Sequence, residues 1–475
     1  MLRPRLAGAA GRRLAVLAAP LLLLLPTACG GGGGGGGGNG HAATPSADVP
    51  GDIVVASGRD VTGKNGIRQR LIDVWNTGQE KSGTGYRARL VELPGNADEQ
   101  RSQLLGALQS GSAAYDVVNL DVTWVPEFAA ARLISPLPKT LLDDDVIEPV
   151  ARTARWDGEV YAAPFNSDVG LLYYRRDHLR EAGVERPDLG GGLEWPELKK
   201  LITTLDERRP DGYEKGWTTQ LAAYEGRTVN AVEAFASAVP GFTLTDEDGR
   251  YEATVEELTE GITELRRRTE AASVLPDAFR SDEAASLGDF AAGRTSFLRH
   301  WPYVYPALHQ TFPKDRHGER LGVTALPGRA VLGGQNLAVT AASQRADKAT
   351  ELIRFLTGKE SERCLLDAGF AATRVSAYTD DAVTCAVGAA PTPSAAPTGE
   401  GADTVPRDAA GRPEYAHDVL LPALQEAAHR PRTPLYGAFT QTFTTELGAL
   451  FADDPPGDAE LARRLAGALE QALPH

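Results

Sequence analysis

Between residues 52 and 121 the chain alternates short β-rich runs with helical ones, and the order of that alternation constrains the fold more than any other feature. DIVVAS (52–57) is a strand-like run that ends in a polar, glycine-containing loop, SGRDVTGKNG, before the helix-like IRQRLIDVWNTG. YRARLVEL (86–93) alternates like a strand. NADEQRSQLLGALQSG reads as an amphipathic helix opened by Asn96 and closed by Gly111, and YDVVNL is a strand again. A β-loop-α-β-α-β order predicts a parallel sheet with right-handed crossovers. Sheets of that kind take ligands beyond the carboxyl ends of their strands. Asp121 stands at such an end, where the run DVVNL gives out; the competing use for an aspartate there is to cap the turn that follows.

The alternation continues downstream. EVYAAPFNSDVGLLYYRRDHLREAG sets Asn166, Ser167 and Asp168 between two apolar segments, and GRTSFLRHWPYVYPAL carries a strand into the aromatic cluster Trp301, Tyr303 and Tyr305. LGVTALPG leads into the apolar strand VLGGQNLAVTAAS. With 475 residues, 42% of them hydrophobic, the chain can bury a sizeable core and divide into two lobes. A formal net charge of −15 disfavours a nucleic-acid partner, whose phosphates attract basic surfaces. Residues 386–412, rich in Ala, Pro, Thr and Gly, read as a long surface loop.

The first residues bear on compartment. Arg3, Arg5, Arg12 and Arg13 precede an apolar run over 14–25 that is short for a membrane span, and PTAC follows, ending at Cys29. This resembles a bacterial lipobox, with Pro26 where leucine is usual; Cys29 would be diacylated and become the mature N-terminus. The alternative is ordinary secretion with Cys29 discarded. The Gly-rich segment after it reads as a flexible tether of roughly twenty residues and about 25 Å reach. In an oxidising compartment Cys364 and Cys385 are close enough in sequence to close a modest disulfide loop, the alternative being two buried thiols. No histidine sits at zinc-ligand spacing beside them, so neither metal nor cofactor is expected.

The segments DVVNLDVTWVPEFAAARLISPL, YAAPFNSDVGLLYYRRDHL, LAAYEGRTVNAVEAF, GRTSFLRHWPYVY, LGVTALPG with LGGQNLAV, and HRPRTPLY occur in that order. Together with the lipobox they resemble the extracellular solute-binding lipoproteins of carbohydrate ABC importers, the maltose/trehalose-type branch of the family-1 binding proteins, over nearly the whole mature chain. The resemblance implies an α/β, two-lobed, type II periplasmic-binding-protein-like fold, each lobe a mainly parallel sheet flanked by helices, with the ligand cleft between them. The expected division is a signal peptide over 1–28, the tether over 29–50, one lobe from 51–164 and 333–373, and the other from 165–332 and 374–475. It implies no catalysis, a carbohydrate ligand, delivery to ABC permease subunits, a lipid anchor on the outer face of the cytoplasmic membrane, and a monomer.

A sugar offers hydroxyls and apolar ring faces, so its site calls for carboxylates, amides and arginine beside flat aromatics. Asp121, Asn166, Asp168 and Arg430 supply the first class, with Arg432 a rival to Arg430. Trp301, Tyr303 and Tyr436 supply the second. Arg101 resembles a family arginine that reaches the cleft, and Asp60 and Asn65 lie on the loop expected to rim it. Gly334 permits close backbone approach. The family commonly has an aromatic where this chain has Gln335, so a stacking platform is expected to be missing or replaced there. Two other readings stand beside this one. A signalling sensor of the same fold would share every residue named, and a glycoside hydrolase would need two carboxylates flanking a bond, for which Asp121 and Asp168 are the candidates. Against hydrolysis in general, GxSxG, HExxH and GxxxxGK[ST] are absent.

Overall fold

The structure is a computed structural model that describes residues 48–59, 66–387 and 405–474. Its strands are β1 (Asp52–Gly58), β2 (Arg87–Leu93), β3 (Val117–Asp121), β4 (Arg155–Trp156), β5 (Glu159–Val160), β6 (Ala163–Val169), β7 (Leu171–Arg175), β8 (Lys215–Thr218), β9 (Thr295–His300), β10 (Leu321–Ala325) and β11 (Leu332–Val339). One sheet has the order β2-β1-β3-β11-β6, a second the order β10-β7-β9-β8, and β4 pairs with β5. β1 pairs in parallel with β2 and β3, as the β-loop-α-β order predicts. β11 runs antiparallel to β3 and β6, so the first sheet is mixed. The second is mixed too, since only β8 and β9 pair in parallel.

Strand alternation explains how the first sheet holds its helices. Successive side chains leave opposite faces. Ile53, Val55, Val117, Leu337 and Val339 pack on one side with Ile67, Leu71 and Trp75 of the helix Ile67–Lys81 and with Leu352 and Ile353. Ala56, Val118, Leu120 and Ala338 pack on the other with Leu104, Leu108 and Phe128. The helix Ala97–Gln109 opens on Asn96, whose side chain accepts from Glu99 N while the Glu99 carboxylate accepts from Asn96 N, a reciprocal cap. The second sheet buries Leu172, Tyr174, Phe297 and Leu298 among Trp195, Leu198, Ile202 and Trp217.

Among the described residues the chain passes between the sheets three times. The first passage is the single residue Gly170 between β6 and β7, because β6 stays paired with β11 as far as Val169. This crossing falls later than the 164/165 boundary expected from sequence. The return runs from β10 to β11, and the third is marked by Ala371 bridging to Ser167 and Ala428 bridging to Val331. Cys364, in the helix Lys359–Asp367, is disulfide-bonded to Cys385. Of the loop expected over 386–412, residues 405–412 are held locally: Asp408 Oδ1 accepts from Ala410 N and Arg412 N, and Arg363 reaches Ala410 O. Residues 29–47 of the tether, Cys29 among them, and Asp60 and Asn65 lie outside the described residues.

Candidate functional site

A cavity of about 280 Å³ opens where the two sheets approach each other. From the first sheet it receives the end of β3 with Asp121, the middle of β6 with Asn166 and Asp168, and the start of β11 with Gly333, Gly334 and Gln335. The second sheet contributes Trp301 and Tyr303, just beyond β9, and Arg430 reaches in from the segment after the third passage. Sequence reasoning named eight of these residues as candidates: Asp121, Asn166, Asp168, Trp301, Tyr303, Gly334, Gln335 and Arg430. A larger hollow of about 490 Å³ lies between residues 135–138 and the helix Ala346–Leu356, but none of the buried polar atoms lacking a partner belongs to its lining.

Asp121 lines the cavity and also serves the turn after its strand. Its Oδ1 accepts from Thr123 N at 3.0 Å and Thr123 Oγ1 at 2.7 Å, steadying the turn after β3. The same oxygen accepts from Arg430 at 3.0 Å, while Arg430 Nη1 donates to Glu225 Oε1 at 2.7 Å. Glu225 is the first residue of the helix Glu225–Ala238, and it also accepts from Tyr436 and Thr440. Burial raises the Glu225 carboxyl, against the pull of Arg430. Arg430 Nε, likewise buried, has no partner among the described residues.

The β6 side is arranged differently. Every residue of β6 is buried, although Asn166, Ser167 and Asp168 are polar. Asn166 Oδ1 accepts from Arg68 at 3.2 Å. Gln335 Oε1 accepts from Arg68 at 3.0 Å and from Asn119 at 3.2 Å, so this amide knits β11 and β3 to the helix that carries Arg68. Asp168 Oδ1 has no hydrogen-bond partner among the described residues. Burial pushes its carboxyl up to about 7, opposed by Arg68 and assisted by the charge of Asp121. Gly334 makes the close approach of β11 and β6 possible: its φ is +107°, and a Cβ would stand 2.4 Å from Asn166 O.

The apolar wall is aromatic. Trp301 is partly exposed to the cavity, and the Arg299 guanidinium lies 3.9 Å from its ring centroid. Tyr224, Tyr303 and Phe370 complete the ring-lined surface, with the Tyr224 hydroxyl donating to Glu283 Oε2 at 2.8 Å.

Three candidates do not reach the cavity. Arg101 is bound to Glu127 in an ion pair, because the helix Ala97–Gln109 turns it toward the neighbouring helix Val125–Ala130. Tyr436 is 1% exposed and packs on Phe439, its hydroxyl spent on Glu225. Arg432 donates to Arg155 O. Conversely, Arg68, Glu225, Tyr224 and Glu283 line the cavity without having been singled out. Arg68 carried a signal: it falls on the apolar stripe Ile67, Leu71, Ile72, Trp75, where a charge has to find partners. Glu225 stood within LAAYEGRTVNAVEAF, at the head of a helix buried from Glu225 to Ala236.

Two lobes joined by three passages, with a polar and aromatic hollow where they meet, define a two-lobed receptor for a small solute. The chain belongs to the bacterial extracellular solute-binding proteins, whose family model matches residues 66–363. Proteins of that family are exported binding proteins. A probable ABC transporter-binding protein of Deinococcus radiodurans is 28% identical over 317 residues, 64% of this chain and 73% of its own. Among solved structures, the maltose-bound MalE3 of T. maritima superposes with a TM-score of 0.70 at 20% identity, covering 88% of this chain and 99% of that one. The GacH receptor of Streptomyces glaucescens, solved unliganded and with acarbose, gives 0.68 at 19% identity over 90% of this chain and 99% of its own. These likenesses bear on the fold.

Proposed function

We propose that this protein captures a sugar, of di- or oligosaccharide size, in the cavity around Asp168 and Trp301 and delivers it to the membrane subunits of an ABC importer. The observation that carries this reading is the juxtaposition, in one hollow, of a buried carboxylate oxygen without a partner among the described residues and a tryptophan face. A hydroxyl donates to the first and a ring C–H face stacks on the second. Asn166, Gln335, Asp121 and Arg430 flank that pair and suit further hydroxyls. The maltose and acarbose bound by the two structural relatives support the same ligand class.

In this reading the chain binds without catalysis, and closure of one lobe on the other follows from contacts made only in the closed form. The lobes are divided at the three passages, the first of them at Gly170. Diacylation at Cys29 tethers a monomer to the outer face of the cytoplasmic membrane, since two acyl chains anchor stably where one does not.

A thermal-shift screen across mono-, di- and oligosaccharides, followed by calorimetry on the strongest hit, tests this. A ligand confined to the folded form raises the melting temperature. Trp301→Ala is expected to weaken the hit by roughly tenfold or more. If no sugar shifts the transition, the ligand class is wrong; if a sugar binds Trp301→Ala and Asp168→Ala as tightly as the parent, the site is wrong.

A further inference from the structure

Behind Trp301, away from the cavity, lies a second charged pair. Arg299 and Glu233 are 1% and 2% exposed and meet in a two-pronged contact, Nη2 to Oε1 at 2.6 Å and Nε to Oε2 at 3.1 Å. The pair touches more than itself. Glu233 Oε1 accepts from Val331 N at 3.2 Å, on the second passage between the sheets. A Cβ on Gly170, the whole of the first passage, would stand 2.3 Å from the same oxygen and 2.9 Å from Arg299 Nη2, so the pair lies directly over that residue. Val331 in turn bridges to Ala428 on the third passage. On its other side the Arg299 guanidinium lies 3.9 Å from the Trp301 ring centroid. Gln220 steadies the arrangement, its Nε2 donating to Arg299 O at 3.0 Å.

A buried ion pair is weak evidence for a stability role, because apolar residues of similar volume often replace one at no loss. Its contacts here give it a different one. We propose that Arg299 and Glu233 are positioning residues: Arg299 backs the Trp301 ring and fixes the face it presents to the cavity, and Glu233 holds Arg299 while gripping the first two passages. The state of the Trp301 platform and the geometry of the passages are thereby joined through one pair of side chains. This rests on the proposed use of Trp301 as a ligand platform, but the link from Arg299 to the ring does not.

The test therefore reads Trp301 without any ligand. In the full chain labelled with fluorotryptophan, the six tryptophans give separate fluorine NMR signals, and Trp301→Phe identifies the one that matters. The double variant Arg299→Met with Glu233→Leu removes both charges together and leaves no unpaired ion. It is expected to melt cooperatively while the Trp301 signal moves and broadens. Arg299→Lys keeps the charge but lacks the flat guanidinium, so it is expected to move the same signal by less, whether or not the double variant folds. With maltose as probe, loss of the backing group is expected to weaken binding roughly fivefold to tenfold. A Trp301 signal unchanged in position and width in Arg299→Lys and in a folded double variant overturns the proposal. Absence of maltose binding in the parent protein, with the signal still moved, would instead count against the sugar reading alone.

Discussion

Asp121 and Asp168 line one cavity and are both largely withdrawn from water, but their surroundings differ. The Asp121 carboxylate is met by Thr123 and Arg430, and Arg430 is met again by Glu225. Asp168 lies on a fully buried strand, with Oδ1 unpartnered among the described residues and its carboxyl raised by burial to about 7. Burial sets what it costs to keep a charge, and the partners decide whether that cost is met. One side of the cavity thus has its carboxylates met by the fold, although Arg430 Nε keeps no partner there among the described residues. The other is left for the proposed ligand to finish, and an acceptor without a donor costs the free protein stability that a bound hydroxyl restores.

The finished side should be the more fragile. Arg430→Met leaves the Asp121 and Glu225 carboxylates facing each other with no cation between them. Removing one member of a buried charged pair costs about 3–5 kcal/mol, and urea unfolding at neutral pH is expected to show a loss of that size. A loss under about 1 kcal/mol would place the two carboxylates in better contact with water than their burial indicates.

On the unfinished side the sign reverses. A carboxyl with a folded-state value near 7 holds its proton more tightly than the unfolded chain, whose value is 3.8, so stability falls as pH rises between the two and levels off above. Asp168→Asn removes that decline. The variant is expected to be the more stable protein above pH 7, by a difference on the order of 4 kcal/mol that closes toward about pH 4. Glu362, raised by burial to about 8, titrates in the same range but is present in both proteins and cancels from the comparison. The same substitution replaces a charged acceptor by a neutral one, so sugar affinity is expected to drop roughly tenfold at about pH 8, and little at about pH 5.5. Calorimetry at the two pH values checks this, and equal losses at both would mean that the Asp168 charge plays no part in binding.

Much of this cavity was legible before any coordinates. Asp121 could be placed because a carboxylate at the end of a parallel strand has a position dictated by topology. Asn166 and Asp168 stood out as polar residues within an apolar run, and Trp301 as an aromatic at a strand's end. Arg101 failed for the opposite reason: a helix-surface arginine has many rotamers, and a partner as near as Glu127 decides its direction only in three dimensions. Tyr436 shows the same limit: its ring packs on Phe439 one helical turn away, but its hydroxyl is claimed by Glu225, a contact between residues far apart in sequence. The crossing at Gly170 was hidden because the polar run Asn166–Asp168, which reads as a break between two apolar segments, belongs to β6, and the stretch from Val169 to Leu171 carries no break. Only pairing with β11 on one side and β9 on the other divides it.

Gln335 tests whether the division between the two sides holds at its boundary. Its Oε1 serves the fold, accepting from Arg68 and Asn119, while its Nε2 donates to no group among the described residues and the residue lines the cavity. Gln335→Ala removes one acceptor from Arg68, which keeps Ser57, the Gly58 carbonyl and Asn166. The expected cost is therefore small, about 1 kcal/mol in urea unfolding. If Gln335 belongs with Asp121, sugar affinity follows stability and changes by less than about threefold. If its amide takes the place of the aromatic usual at this position by donating to a sugar oxygen, affinity falls about tenfold while stability moves no further. The ratio of the two losses, measured on one variant, assigns the residue to the finished or the unfinished side.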